Sequence, residues 1–236
     1  RPSPRWGAIE TAIGQIGQIS AHLPVIIDPA DIAIAYSAPS SEIFTFGGQE
    51  NSFVYEQRGL YRTLWKHSIP QDMVTPGMDW SQYKLVYLPN FALLDDIAVA
   101  RLRGVLQDDA GPAIVADGHF GTFDGKGHWS FEPPEGLGDL LDVRVVDFDM
   151  INDHDVATAA NVLRTEFGEY PVAAPCQYLI LEPQGGMKPI AHIGDDVVGV
   201  QSADGRFTWY GISLCCTDVT AVPGQPMTDQ KTTGVV

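Results

Sequence analysis

The chain has 236 residues, 44% of them hydrophobic and 19% charged, which is typical of a folded globular protein and excludes a disordered one. Its 30 acidic and 14 basic side chains give a formal charge of -16 at pH 7. This charge argues against nucleic acid or an anionic membrane surface as a partner, because both attract clusters of Lys and Arg.

The first half of the chain predicts alternating helices and strands. A stripe of isoleucines at helical spacing predicts a helix over residues 7–22: Ile9, Ile13, Ile16 and Ile19. A strand (31–37), a loop rich in Ser, Pro and Gly (37–48), a helix (50–67) and two strands (72–75 and 83–88) follow. A helix opening with Asp95 and Asp96 and a strand over 113–116 complete the series. This order is typical of a parallel sheet with flanking helices.

Apolar side chains predict which faces of the later helices pack on the sheet. In the helix over 50–67 the predicted core face consists of Phe53, Leu60, Tyr61, Leu64 and Trp65. In the next helix it consists of Ile97, Ala98, Leu102, Val105 and Leu106.

Beyond residue 128 the pattern changes to short strands. These strands are predicted over 140–148, 178–181, 189–193, 197–201 and 207–212. The last two are joined through Asp204 and Gly205, a dipeptide that strongly favours a β-hairpin. We therefore expect antiparallel strands to extend the edge of the parallel sheet.

The bend after the strand over 113–116 is the position at which many α/β enzymes carry a nucleophile. Here the bend is Gly118-His119-Phe120-Gly121, without Cys or Ser between the glycines. The nearest match to a serine-hydrolase elbow, residues 211–215, lacks the final Gly. Backbone N–H groups of the bend could still bind an anion, or His119 could be an ordinary loop residue. No catalytic residue is predicted.

Neither a metal nor a cofactor is predicted. The acidic stretch over 142–155 resembles a calcium loop only superficially, because Ile151 and Asn152 stand where the EF-hand needs an oxygen ligand and a glycine. Three cysteines at 176, 215 and 216 lack zinc-site spacing and are expected to be buried apolar residues.

Two tryptophans are candidates for contact with a partner. Trp65 lies on the apolar stripe of a predicted helix, whereas Trp80 and Trp129 lie in predicted loops. Because aromatic residues are enriched at protein interfaces, we expect Trp80 and Trp129 to contact a neighbouring subunit or domain. The loops 37–49, 76–82 and 119–135 would supply the other contacts.

Several short strings resemble one enzyme family, the β-galactosidases of glycoside hydrolase family 42. They are Pro4-Arg-Trp-Gly7 before a helix, Asp72-Met-Val-Thr-Pro76, Tyr83-Lys-Leu-Val-Tyr-Leu-Pro89 and Asp204-Gly-Arg-Phe-Thr-Trp-Tyr-Gly211. The resemblance covers about residues 1–215 and is weakest over 121–175. It is a resemblance to the trimerisation domain that follows the catalytic barrel in that family.

The resemblance implies an α/β three-layer sandwich of the flavodoxin-like, class I glutamine amidotransferase-like type, with a mostly parallel sheet and an antiparallel extension. It divides the chain into a linker helix after a catalytic barrel (1–28), the trimerisation domain (29–221) and a loose tail (222–236). The catalytic glutamates of the family belong to the barrel, so this chain is expected to be a non-catalytic segment of a longer protein.

The partners implied are two further copies of the chain and the preceding barrel. Two alternatives stay open: a stand-alone flavodoxin-like domain that binds a small molecule, and a diverged amidotransferase-like enzyme. The second lacks the expected cysteine at the bend, and His192 is followed by Ile193-Gly194 instead of the required His-x-Glu pattern. The sequence leaves the cellular compartment open.

Overall fold

A computed structural model describes residues 4–20, 29–48, 50–130, 136–151, 162–172 and 176–215. Its helices are α1 (Pro4–Ser20), α2 (Ala38–Phe46), α3 (Glu50–Lys66) and α4 (Asp96–Gln107). Its strands in the first half are β1 (Ile32–Ala35), β2 (Gln71–Val74), β3 (Leu85–Leu88) and β4 (Ala113–Asp117). Those in the second half are β5 (Val143–Ile151), β6 (Val162–Thr165), β7 (Gly168–Pro171), β8 (Cys176–Pro183), β9 (Met187–Ile193), β10 (Asp196–Ser202) and β11 (Phe207–Tyr210).

Nine of the strands form one mixed sheet in the order β2-β1-β3-β4-β11-β10-β9-β6-β7. The first five run parallel, and every later pair is antiparallel. Strands β5 and β8 pair with each other in a separate antiparallel sheet. The predicted mixed α/β architecture with an antiparallel extension is confirmed.

Helices cover both faces of the parallel strands. Ile34 of β1 packs in the same cluster as Leu60 and Leu64 of α3. Its neighbours Ala33 and Ala35 point to the opposite face and belong to the cluster that contains Leu102 of α4. Adjacent residues of a strand face opposite sides, so α3 and α4 lie on opposite sides of the sheet. The arrangement has three layers.

The isoleucine stripe of α1 forms a helix, as the spacing predicts, but its side chains stay exposed. Ile9, Ile13, Ile16 and Ile19 are 46–64% accessible to solvent. An isolated helix of this length is marginal in water, and tertiary packing normally supplies most of its stability. The described part of the chain does not bury this stripe.

The segment 37–48, predicted as a loop, contains the helix α2. Ser37 caps its first turn, where the Ser37 Oγ accepts a hydrogen bond from the Ser40 N–H at 3.1 Å. Pro39 occupies a first-turn position, at which its missing N–H costs nothing. Ser and Pro indicate a loop by composition, but in this order they begin a helix.

The inner face of α3 also differs from the prediction. Phe53, Leu60 and Leu64 are buried as expected, but Tyr61 and Trp65 are 46% and 68% exposed. In α4 the predicted residue Ile97 is likewise exposed, whereas Ala98, Leu102 and Val105 are buried. Both helices therefore bury a narrower stripe than their apolar residues indicate.

The second half is more elaborate than the predicted strands suggest. The turn at Asp204-Gly205 joins β10 to β11 as predicted, with a positive φ at Gly205. However, β11 lies inside the main sheet and pairs in parallel with β4. The short strands β6 and β7 were not predicted at all. The tail 222–236, Cys216 and the segment Asp153-His154-Asp155 lie outside the described residues.

Candidate functional site

The bend after β4 lies where the carboxyl ends of the parallel strands meet, which is the usual ligand-binding edge of an open α/β sheet. Gly118 and Gly121 both have positive φ, at 55° and 61°. A Cβ on Gly118 would lie 1.9 Å from the Asn90 Oδ1. The bend is thus a tight, glycine-dependent turn packed against the loop that follows β3.

The side chains of the bend do not carry a nucleophile. Phe120 is buried against Phe207 and Trp209, at centroid distances of 5.6 and 5.7 Å. Burial lowers the pKa of His119 to about 4, so its imidazole is neutral at pH 7. His119 packs edge-on to Trp129, with ring centroids 5.4 Å apart. Both side chains pack in the interior of the protein.

The N–H groups that could have bound an anion are already engaged. Gly118 donates to the Ile212 carbonyl at 3.3 Å, and Gly121 donates to the Phe91 carbonyl at 3.0 Å. The His119 N–H points to the Asn90 Oδ1 at 3.4 Å. Three of the four N–H groups of the bend thus serve the protein itself, which disfavours the anion-site interpretation.

A buried polar network stands beneath the bend. Asp117, the last residue of β4, accepts a hydrogen bond from the Tyr87 hydroxyl at 3.0 Å and one from the Asn90 N–H at 2.7 Å. Asn90 has a positive φ of 47°, and its Nδ2 donates to the Ser213 Oγ at 3.1 Å. These bonds join the ends of β3 and β4 to the segment after β11.

Glu56 brings a second buried carboxyl group to the same network. It extends from α3, is fully buried, and accepts a hydrogen bond from the Cys215 N–H at 2.7 Å. Burial raises the pKa of Asp117 well above its ordinary range, and the charge of Glu56 and a hydrogen bond with it raise it further. Asp117 therefore keeps its proton to a higher pH than an exposed aspartate does.

The surroundings of Asp117 and Glu56 indicate a structural role and not a catalytic one. Two carboxyl groups that cleave a glycosidic bond must stand on either side of an open sugar site, but Asp117 and Glu56 are both fully buried. Their oxygens accept bonds from Tyr87, Asn90 and Cys215. The pair ties α3 to the strand ends.

Sequence reasoning missed this network, although two signals for it exist. Glu56 stands three residues after Phe53 and four before Leu60, which places it on the buried face of α3. Asn90 follows Pro89 at the end of a strand, and Asn is the residue other than Gly that most readily adopts positive φ.

The two predicted interface tryptophans have different surroundings. Trp80 is 0% exposed, and its Nε1 donates to the Thr75 carbonyl at 3.1 Å. Although Trp80 lies in a loop, its ring is part of the core, so it cannot reach a partner. Trp129 is half-buried and contacts the rings of Phe123 and Phe148 at 5.3 and 6.3 Å.

Other predicted features are placed as follows. His192 lies on β9, opposite Arg164 of β6. Cys215 is buried in the core and Cys176 is half-buried against it, as expected for apolar thiols. Among the described residues, no group of three His, Cys, Asp or Glu side chains could hold a metal ion, and no helix has the length and hydrophobicity to span a membrane.

Comparison with known proteins assigns the family. The model of the β-galactosidase trimerisation domain matches residues 30–199. β-Galactosidase GanA of Bacillus subtilis strain 168 is 42% identical over 48 residues, which are 20% of this chain and 7% of the relative.

Solved structures share the fold at lower identity. The β-galactosidase of the psychrophilic Marinomonas ef1 matches with a TM-score of 0.66 and 14% identity, over 89% of this chain and 30% of that one. The enzyme of the haloarchaeon Halorubrum lacusprofundi matches with a TM-score of 0.62 and 17% identity, over 79% and 28%. This chain thus spans less than a third of these relatives, and it belongs to the β-galactosidase trimerisation domain family.

Proposed function

We propose that this chain is a non-catalytic assembly module that holds three copies of a β-galactosidase-type glycoside hydrolase in a ring. The observation that carries this function is the family match over residues 30–199. The bend after β4 supports it, since neither His119 nor Phe120 offers an accessible nucleophile. A module of this kind acts by binding its own copies.

The finer fold assignment belongs to the same proposal. A parallel sheet with helices on both faces and a glycine-dependent bend after β4 supports a flavodoxin-like framework related to class I glutamine amidotransferases. In such a framework the bend would carry the nucleophile, and here the buried ring of Phe120 fills it. The diverged-enzyme alternative therefore lacks a reactive group at its expected position.

We extend the proposal to the organisation of the chain. Residues 1–28 would link a catalytic barrel to the module over 29–221. The exposed isoleucines of α1 support this division, because a helix with an uncovered apolar stripe needs a further partner. The barrel is that partner in the proposal, and the β-galactosidase activity would belong to it.

Sedimentation equilibrium of the natural polypeptide that contains this chain tests the assembly function. We expect a mass three times that of one polypeptide, and a monomeric mass at all concentrations would refute the proposal. The 236-residue chain alone should neither hydrolyse a nitrophenyl β-galactoside nor release ammonia from glutamine. Turnover that disappears in His119→Ala would show that the bend is catalytic after all.

A further inference from the structure

A cavity of about 200 Å³ lies at the carboxyl edge of the sheet, beside the bend after β4. Its walls come from segments that follow three of the parallel strands. Phe44 lies on α2, which follows β1, and His119 lies in the bend itself. Phe123 also lines the cavity, and its N–H donates to the Ala92 carbonyl, in the loop after β3, at 3.0 Å. Open α/β sheets usually bind their ligands at this edge.

The cavity also lies near the point where the strand connections diverge. β1 pairs with β2 on one side and with β3 on the other. The chain leaves β1 through α2 and α3 to reach β2, whereas it leaves β3 through α4 to reach β4 on the opposite side. Such a reversal opens a crevice between the segments that follow the two central strands, and ligands bind in that crevice.

Four aromatic rings form most of the wall, and neighbouring rings stand at steep angles. The ring of His119 meets that of Phe44 at 65° and that of Trp129 at 77°. The ring of Trp129 meets that of Phe123 at 86°. Rings at such angles enclose a space on several sides, which a parallel stack would not do. Because the face of an aromatic ring carries a partial negative charge, a wall of this kind suits a cation.

The described wall of the cavity does not repel a cation. Among the described residues that line it, none is Lys or Arg. Burial lowers the pKa of His119 to about 4, so its imidazole is uncharged at neutral pH. The Nδ1 of this imidazole is buried without a hydrogen-bond partner in the described part of the chain. The formal charge of -16 also raises the concentration of cations around the molecule.

Sugars and primary amines suit this wall poorly. A sugar would leave most of its hydroxyl groups unpaired, because His119, Trp129 and Gln177 carry the only polar side-chain groups of the described wall. A primary ammonium group has three N–H donors, and no carboxylate lines the described wall to accept them. A quaternary ammonium group has no N–H to pair and distributes its charge over methyl groups, so aromatic rings alone can bind it.

We propose that this cavity binds a quaternary ammonium compound, with its trimethylammonium group against the rings of His119, Phe123 and Trp129. An apolar cavity of about 150 Å³ accommodates benzene. A trimethylammonium group is about as large as benzene, so the present cavity has room for it. Gly47 and Gln177 line the cavity and are at least partly exposed, so the rest of the ligand can extend into solvent. This inference goes beyond the assembly function and does not depend on it.

Choline and 3,3-dimethylbutan-1-ol test the proposal, because the two molecules have nearly the same shape and differ in charge. Titration calorimetry of the natural polypeptide should show that choline binds about tenfold or more tightly than the neutral alcohol, since a desolvated contact between a cation and aromatic rings supplies about that factor. Equal affinities would overturn the proposal, because they would show that the cavity selects apolar volume and not charge. Absence of choline binding at about 10 mM would overturn it as well.

Phe123→Leu locates the site, because leucine keeps an apolar side chain and removes the ring. The affinity for choline should fall about fivefold or more, whereas the affinity for the neutral alcohol should stay within about twofold. Phe46→Leu is the matched control, because Phe46 lies on α2, is 87% exposed and does not line the cavity. It should bind choline as the wild type does.

Circular dichroism checks folding, and Trp129→Leu replaces Phe123→Leu if that variant unfolds. Unchanged choline affinity in the folded variant would overturn the proposal. Sedimentation of the same samples separates this inference from the assembly function. A trimer that does not bind choline would overturn this inference alone, and a monomer that binds choline would overturn the assembly function alone.

Discussion

Gly118 holds a backbone conformation that residues with a Cβ rarely adopt, and the loop after β3 crowds the position. Its φ is +55°, and a Cβ there would meet the Asn90 Oδ1 at 1.9 Å. Asn90 cannot give way freely, because its Nδ2 is bonded to Ser213 and its N–H to Asp117. Strain and steric overlap therefore act together at this residue.

We expect Gly118→Ala to destabilise the fold by about 2–4 kcal/mol, since an unfavourable φ and displacement of Asn90 both add to the cost. Urea unfolding followed by circular dichroism measures the difference. Gly104→Ala is the matched control, because Gly104 lies in α4 with open space around it. That change should stabilise the helix by about 0.5–1 kcal/mol. Equal stability of Gly118→Ala and wild type would contradict the described geometry.

The buried carboxyl pair makes stability depend on pH. The pKa of Asp117 is raised in the folded state, so folding retains a proton that the unfolded chain releases near pH 4. The stabilising contribution of this proton is complete below that pH. It is lost progressively as the pH rises toward the folded-state pKa. The free energy of unfolding should therefore fall from pH 4 upward.

Asp117→Asn should flatten this decline, because the amide remains neutral beside Glu56 at every pH. Urea unfolding at pH 4, 5, 6, 7 and 8 measures the slope. Asp204→Asn is an informative control of opposite sign, since the Ser202 hydroxyl and the Arg206 N–H lower the pKa of Asp204. Removing Asp204 should lower stability by a constant amount from pH 5 to 8, because the contribution of a carboxyl group with a lowered pKa is complete in this range and is lost only at lower pH. Identical slopes for Asp117→Asn and wild type would refute the raised pKa of Asp117.

At the scale of elements, the helix α2 is stabilised by the interactions of its first residues. The apolar content of 38–46 is concentrated in Ile43, Phe44 and Phe46, too few to predict a helix by periodicity. The Ser37 cap satisfies the Ser40 N–H, and the Ser40 hydroxyl donates to the Leu93 carbonyl at 3.1 Å. Capping and a tertiary bond together stabilise a nine-residue helix.

Ser37→Ala should therefore cost about 1 kcal/mol of stability, the usual value for loss of a helix N-cap. Ser41→Ala is the comparison within α2. The hydrogen bond from the Ser41 N–H to the Ser37 carbonyl involves only the backbone, so the substitution leaves it in place. We expect Ser41→Ala to stay within about 0.5 kcal/mol of wild type. Thermal and urea unfolding measure both variants. A larger loss at Ser41 than at Ser37 would show that the cap is unimportant.

Local patterns predict the parallel half of the fold well and the rest poorly. β1, β3 and β4 are short apolar runs with turn residues on both sides, so alternation and length identify them. β6 and β7 are four-residue strands with exposed polar positions such as Arg164 and Glu169. Only the pairing of β6 with β9 and of β7 with β6 reveals them. Strand order inside the sheet depends on such long-range pairs, which periodicity does not encode.

The candidate site, too, could be predicted only in part from local sequence patterns. The bend of Gly118 and Gly121 is recognisable because glycines mark positive φ, and the absence of a nucleophile is read directly from the sequence. The contact of Asp117 with Glu56 joins positions 61 residues apart, and single-residue patterns carry no information about it. The burial of Trp80 was also not predictable from its position, because a residue in a loop can be as buried as one in a strand.

At the scale of the whole chain, the formal charge is -16, which opposes the approach of a second copy. At about 0.01 M ionic strength the Debye length is about 30 Å, so the net negative charges of two neighbouring copies repel each other over long distances. At about 0.15 M it is about 8 Å, and this long-range repulsion is largely screened. Contacts between touching surfaces of two copies act over a few ångströms and are screened much less.

Assembly through this chain should therefore strengthen as salt rises from about 0.01 to 0.15 M, because screening removes the repulsion between copies of the chain and leaves the short-range contacts. Sedimentation velocity across this range should show a growing trimer fraction at fixed protein concentration. The double variant Arg58→Gln/Arg62→Gln makes the chain more acidic, so its trimer should need still more salt. A trimer that dissociates steadily as salt is added from 0.01 M would show that attraction between charges dominates even at long range.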